Sequence, residues 1–97
     1  MDLIVQVTEI QGHCPVYGKG DVFRLLDGWR LVADKPVCMH ALASLLPYYN
    51  ALRFAEPADL GLAGREDPGA LYVQCADPCA RTGGGTVVFR VTRSSSI

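Results

Sequence analysis

Apolar and polar positions alternate from the start of the chain: Leu3, Val5 and Val7 fall on one face of residues 3–10, with Ile4, Gln6 and Thr8 between them. That period of two, in a run rich in β-branched residues, predicts a first strand with one buried face. Pro15, Gly18 and the Gly20-Asp21 turn signal break residues 12–20 into a loop. Two apolar runs, 22–26 and 29–33, flank Asp27-Gly28, a pair suited to the positive φ angles of a type I′ turn, so they predict a hairpin. Asp34 then offers an N-cap and Pro36 an early helical position. Val37, Ala41, Leu42, Leu45 and Leu46 follow at helical spacing until Pro47, which should end or kink the helix near Leu46, with a second helical piece over 48–54. Residues 55–69 carry three glycines and two prolines without a clear period and read as a long loop. Alternation returns in 70–75, where Leu71, Val73 and Cys75 share a face, and in 86–92, where Val87, Phe89 and Val91 do. Residues 94–97 form a polar tail expected to fray. The order β-β-β-α-β-β predicts an α+β fold: a small, mostly antiparallel five-stranded sheet, curled toward a barrel, with one kinked helix packed on it.

Strand direction decides where the cysteines go. If the first strand runs up, the hairpin brings the second down and the third up. The helix returns down, the fourth strand climbs and the fifth descends. Cys14 then follows the first strand at its top, Cys38 opens the helix at the same end, Cys75 closes the fourth strand there, and Cys79 lies in the next loop. Short, unknotted connections thus carry four distant thiols to one end of the domain. A helix N-terminus, with its unpaired N–H groups and positive dipole end, suits a thiolate at Cys38. Cys75 and Cys79 form a C-x-x-x-C pair, looser than a zinc knuckle.

Composition narrows the chemistry. Ninety-seven residues make a single domain spanning 1–97, because a second core would need roughly 50 residues of its own. With 49% hydrophobic and 20% charged residues the chain can build a core without staples, so the cysteines are not needed as disulfides to rescue it. Nine basic and ten acidic residues give a net charge of −1 with no basic stripe, which argues against a nucleic-acid partner. No apolar run approaches the roughly 18 residues of a membrane span, and the N-terminus lacks a leader pattern. The expectation is a cytoplasmic protein, where thiols stay reduced and four of them serve as ligands or reactive groups.

Several motifs carry a resemblance. Gly12-His13-Cys14-Pro15 with Gly18-Lys19-Gly20-Asp21, Val37-Cys38 leading into a helix, Pro47-Tyr48-Tyr49-Asn50-Ala51-Leu52-Arg53-Phe54, and Cys75-Ala76-Asp77-Pro78 before a Val-Val-Phe strand follow one another in order. In these the chain resembles a family of small uncharacterised prokaryotic proteins of about this length, defined by separated cysteine motifs. The resemblance covers nearly the whole chain. It implies a shared fold and Cys14, Cys38 and Cys75 as the common set, with no associated activity; Cys79 and the longer 80–85 insertion are departures from the pattern.

The candidate metal ligands are therefore Cys14, Cys38, Cys75 and Cys79. Ligands drawn one by one from separate loops fit an iron–sulfur cluster somewhat better than zinc, which usually takes paired knuckles. Such a centre would make the protein an accessory or redox module for a larger enzyme or redox protein. A thiol enzyme with Cys38 as nucleophile and His13 or His40 as base is the first alternative. A metal-free protein-interaction domain is the second. His13 and His40 each offer a nitrogen ligand, although a surface histidine is the commoner outcome. Asp21 reads as a turn-former or a group orienting the site. Trp29, Tyr48, Tyr49 and Phe54 read as packing. Gly83-Gly84-Gly85 lacks the lysine and the strand-loop-helix setting of a phosphate loop.

Overall fold

The alternation at the N-terminus becomes β1 (Asp2–Gly12), whose Leu3, Val5 and Val7 are fully buried. Residues 1–94 are described in the computed structural model. β2 (Val22–Leu26) and β3 (Arg30–Val32) form the expected hairpin, with φ of 59° at Asp27 and 80° at Gly28, both positive as a type I′ turn requires. β4 (Leu71–Gln74) and β5 (Gly85–Ser94) complete one antiparallel sheet in the order β3-β2-β1-β5-β4. Of the tail expected at 94–97, Ser94 ends β5 and the rest lies outside the described residues. The strand directions are those deduced from simple up-down connections.

The sheet stays open, contrary to the curl toward a barrel. β3 has three residues and β4 four, too little ladder to join two edges across a closed barrel. The β4 edge is also occupied already. Within the long loop, Pro57–Leu60 forms a 3₁₀ turn, and the chain beyond it lies along β4: Ala63 bridges Leu71, Tyr72 N–H donates to Leu62 O (3.0 Å) and Gly64 N–H donates to Ala70 O (3.0 Å). An ion pair between Arg90 and Asp67 (2.5 Å), with the Tyr72 hydroxyl donating to the same carboxylate oxygen (3.2 Å), pins the loop to the outer face of the sheet.

One helix, α1 (Met39–Leu52), packs on the inner face through Ala41, Leu45 and Leu52. It differs from expectation at both ends. It starts at Met39 rather than near Pro36, because the residue before a proline is steered away from helical angles and the Cys38 N–H is taken by the Tyr17 hydroxyl (2.9 Å). Asp34 is therefore not the cap; Cys38 occupies that position with extended backbone, φ −69° and ψ 136°. The helix also continues through Pro47 as a single element. Buried residues at a spacing of four and seven lie on both sides of the proline, so docking of one apolar stripe outweighs the lost N–H bond. Trp29 and Phe54 are not packing residues: they are 78% and 76% exposed, Phe54 lying under the Arg53 guanidinium (4.9 Å). Tyr48 and Tyr49 do pack against the core.

Candidate functional site

The end of the sheet where β1 and β4 finish and β5 begins holds the cysteines. Gly12 pairs with Gly85, and His13 N–H donates to Gly84 O (3.1 Å), so the chain leaves β1 lying directly on the start of β5. A Cβ at Gly85 would stand 2.6 Å from the His13 carbonyl carbon and 2.8 Å from Cys14 N; only glycine permits that approach. Cys14 therefore sits immediately above the sheet. After it the backbone turns so that Val16 and Tyr17 both donate their N–H groups to the Cys14 sulfur, at 3.4 and 3.3 Å. The loop then returns to β1: Gly20 N–H donates to Val7 O and Val7 N–H to Asp21 O, each at 2.8 Å. Asp21 closes this turn, accepting from Gly18 N–H (2.8 Å) and from Lys35 (2.7 Å). The lysine first and the backbone N–H second hold its carboxyl below the usual range.

Tyr17 connects this loop to α1. Its ring is buried against Phe23 (centroids 6.2 Å, stacked) and Phe89 (5.6 Å, edge-on), and its hydroxyl accepts the Cys38 N–H. Burial raises the phenol above its ordinary pKa, and the neighbouring Cys38 and Cys14 add to that against the pull of the Cys38 N–H. At neutral pH the phenol keeps its proton and remains a donor. Cys75, 7% exposed, follows β4 at the same end. Its N–H donates to Val87 O (2.9 Å), Val87 N–H donates to its sulfur (3.2 Å), and its thiol faces Gly85 O (3.6 Å), a contact that a metal-bound thiolate would give up.

Cys14, Cys38 and Cys75 line one cavity of about 210 Å³, together with Tyr17, His40 and Asp77. The up-down connectivity does bring three of the four thiols to one space. Cys79 is not among the lining residues; it opens a single helical turn, α2 (Cys79–Thr82), with its N–H donated to Thr86 Oγ1 (3.3 Å). Its sulfur rests against Gly12, where an added Cβ would come within 2.5 Å of it. All four cysteines are free. His13 is exposed and does not line the cavity, whereas His40, in the first turn of α1, does. Asp77 accepts a hydrogen bond from the Thr82 hydroxyl. Among the described residues no group of three or more His, Cys, Asp or Glu side chains is arranged to hold a metal ion.

The residue that sequence reasoning passed over is Tyr17. Its signal is slight: a lone aromatic in a glycine- and proline-bearing loop has no regular apolar face beside it, so its burial depends on distant strands. A wider cleft of about 450 Å³ between α1 and β4, lined by Ala43, Pro47, Tyr48, Leu62 and Tyr72 among others, has no cysteine, histidine or acidic group in its wall. No helix among the described residues is long and apolar enough to cross a membrane. No family model, curated protein or solved structure matches the chain.

Proposed function

We propose that the protein is a cysteine-ligated metal-binding module holding an iron–sulfur cluster through Cys14, Cys38 and Cys75 and serving a larger enzyme or redox protein. The observation that carries this reading is the shared cavity lined by Cys14, Cys38 and Cys75, which come from three separate segments. Two of their sulfurs already accept backbone N–H groups, from Val16, Tyr17 and Val87. Such donors suit a thiolate better than a neutral thiol, which is a weak acceptor, and hydrogen bonds to the sulfurs tune a cluster's potential. Zinc usually draws its ligands from paired knuckles, whereas Cys14, Cys38 and Cys75 come one by one from separate segments. Each iron of a cluster takes its own thiolate, so the ligands around a cluster stand further apart.

Anaerobic purification of the full chain, followed by iron, zinc and acid-labile sulfide analysis, tests this. The expected result is a brown protein with iron and sulfide in near-equal amounts, both lost in Cys14→Ser, Cys38→Ser and Cys75→Ser. A colourless protein with one zinc per chain, or with no metal, would overturn it. A thiol enzyme is the second reading, favoured by His40 lining the same cavity as Cys38. It predicts a single cysteine alkylated rapidly by iodoacetamide, unaffected by chelators and abolished in Cys38→Ser.

A further inference from the structure

Residues 62–64 lie along β4, whereas among the described residues no strand pairs with the outer side of β3. All three β3 residues are exposed, and Ala33, which follows them, has no hydrogen-bond partner for its N–H or C=O among the described residues. Residues of a paired strand alternate between aiming these groups at their neighbour and away from it, so Leu31, two positions back, shares the outward aim. Apolar side chains gather at the same edge, where Trp29, Leu31, Val32 and Leu46 are all exposed. Trp29, Leu31 and Leu46 line, with Leu25, Leu42 and Tyr49, a groove of about 220 Å³ between β3 and α1. We propose that this edge pairs antiparallel with the β3 edge of a second copy of the chain, forming a twofold dimer.

Charge selects both the occupant and the register. With Val32 on the twofold axis, Leu31 faces the partner's Ala33, and Ala33 faces the partner's Leu31. Outward N–H and C=O groups then meet in two hydrogen-bonded pairs. One position further out, on either side of the axis, Arg30 faces the partner's Asp34. Opposite charges set directly across a strand pair stabilise it, and like charges do the reverse. Arg30 holds Asp27 at 2.8 Å through one guanidinium nitrogen, and its other nitrogens make no hydrogen bond or ion pair among the described residues. Asp34 is exposed and has no ion-pair partner among them either. A three-residue edge is too short to hold a chance strand by its backbone alone, so the side-chain match makes the contact specific to this chain. The contact is isologous and inverts one copy against the other, so the two cysteine cavities lie at opposite ends of one continuous sheet. It does not depend on what the cysteines hold.

Sedimentation velocity of the full-length chain over a dilution series reaching about 1 mM, the weak end of specific affinities, tests this. The wild type is expected to pass reversibly from monomer to dimer as concentration rises. Asp34→Arg and Arg30→Asp each set like charges face to face and are expected to weaken the dimer about tenfold. Combining Arg30→Asp with Asp34→Arg is expected to restore it, a recovery that a contact through another face would not give. Ala33→Pro removes an N–H that has no partner inside the chain and is expected to leave a monomer. Circular dichroism checks that each variant keeps the wild-type fold, and the charge variants carry the test if Ala33→Pro does not. A wild type that stays monomeric throughout would overturn the proposal and leave the edge to a partner of another sequence. A dimer that the single charge changes leave intact, or that the double change fails to restore, would overturn it as well.

Discussion

At Gly12 the backbone has φ of +81°, and a Cβ there would run into the Gly84 carbonyl and the Cys79 sulfur. The left-handed conformation alone costs a side chain about 1–2 kcal/mol, so Gly12→Ala is expected to lose about 2 kcal/mol or more in urea unfolding. Tyr17→Phe removes the acceptor of the Cys38 N–H and keeps the ring among Phe23 and Phe89. Its expected cost is about 1 kcal/mol, the usual worth of one such bond. Asp21 and Asp67 have folded pKa values below the ordinary one, held down first by Lys35 and by Arg90 respectively. A depressed folded value means that the stabilisation is complete above the unfolded pKa near 4 and is lost as pH falls through the folded value. Thermal unfolding should therefore show the wild type losing stability below about pH 4. In Asp21→Asn and Asp67→Asn the loss should be shallower, with each variant less stable than wild type at neutral pH.

Helix α1 carries a proline that its packing tolerates rather than requires. Proline in a helix interior costs up to about 3 kcal/mol relative to alanine, and the Pro47 position is exposed. Pro47→Ala is expected to raise stability by about 1–3 kcal/mol in the same unfolding measurement; a loss would mean that the ring is needed in the cleft with Tyr48 and Leu62. The two edges of the sheet are treated differently. Residues 62–64 cover β4 with backbone hydrogen bonds, and β3 is kept short, two of the devices that limit edge-to-edge association. The bulge between Val7 and Glu9 breaks the register of β1 with β5. Beyond it the strand continues to Gly12 and delivers Cys14 above the start of β5.

For the molecule as a whole, the aromatic trio of Tyr17, Phe23 and Phe89 joins the core to the cysteine cavity. Phe89 is completely buried on the central strand pair. Phe89→Ala is expected to cost about 3–5 kcal/mol, a large share of the 5–15 kcal/mol typical of a domain. It should also loosen Tyr17 and with it the Cys14 loop, so on the proposed cluster reading iron content should fall alongside the midpoint of unfolding. The Phe23 ring stands further from Tyr17 than the Phe89 ring does, 6.2 Å against 5.6 Å between centroids, so Phe23→Ala should loosen the Cys14 loop less.

The inner faces of β1 and β5, the Asp27-Gly28 hairpin and the direction of every strand were legible in the sequence, since each follows from a local period or a turn pair with its own φ demands. Convergence of Cys14, Cys38 and Cys75 was legible for the same reason, as a consequence of strand direction. What the chain alone could not reveal are outcomes of contact between distant segments. Where α1 begins depends on a tyrosine hydroxyl reaching the Cys38 N–H from another loop, and its passage through Pro47 depends on a docked apolar stripe. The open sheet depends on residues 62–64 lying along β4. That Cys79 does not line the cavity with the other three cysteines depends on how α2 seats against Gly12, a side-chain placement that no spacing rule encodes.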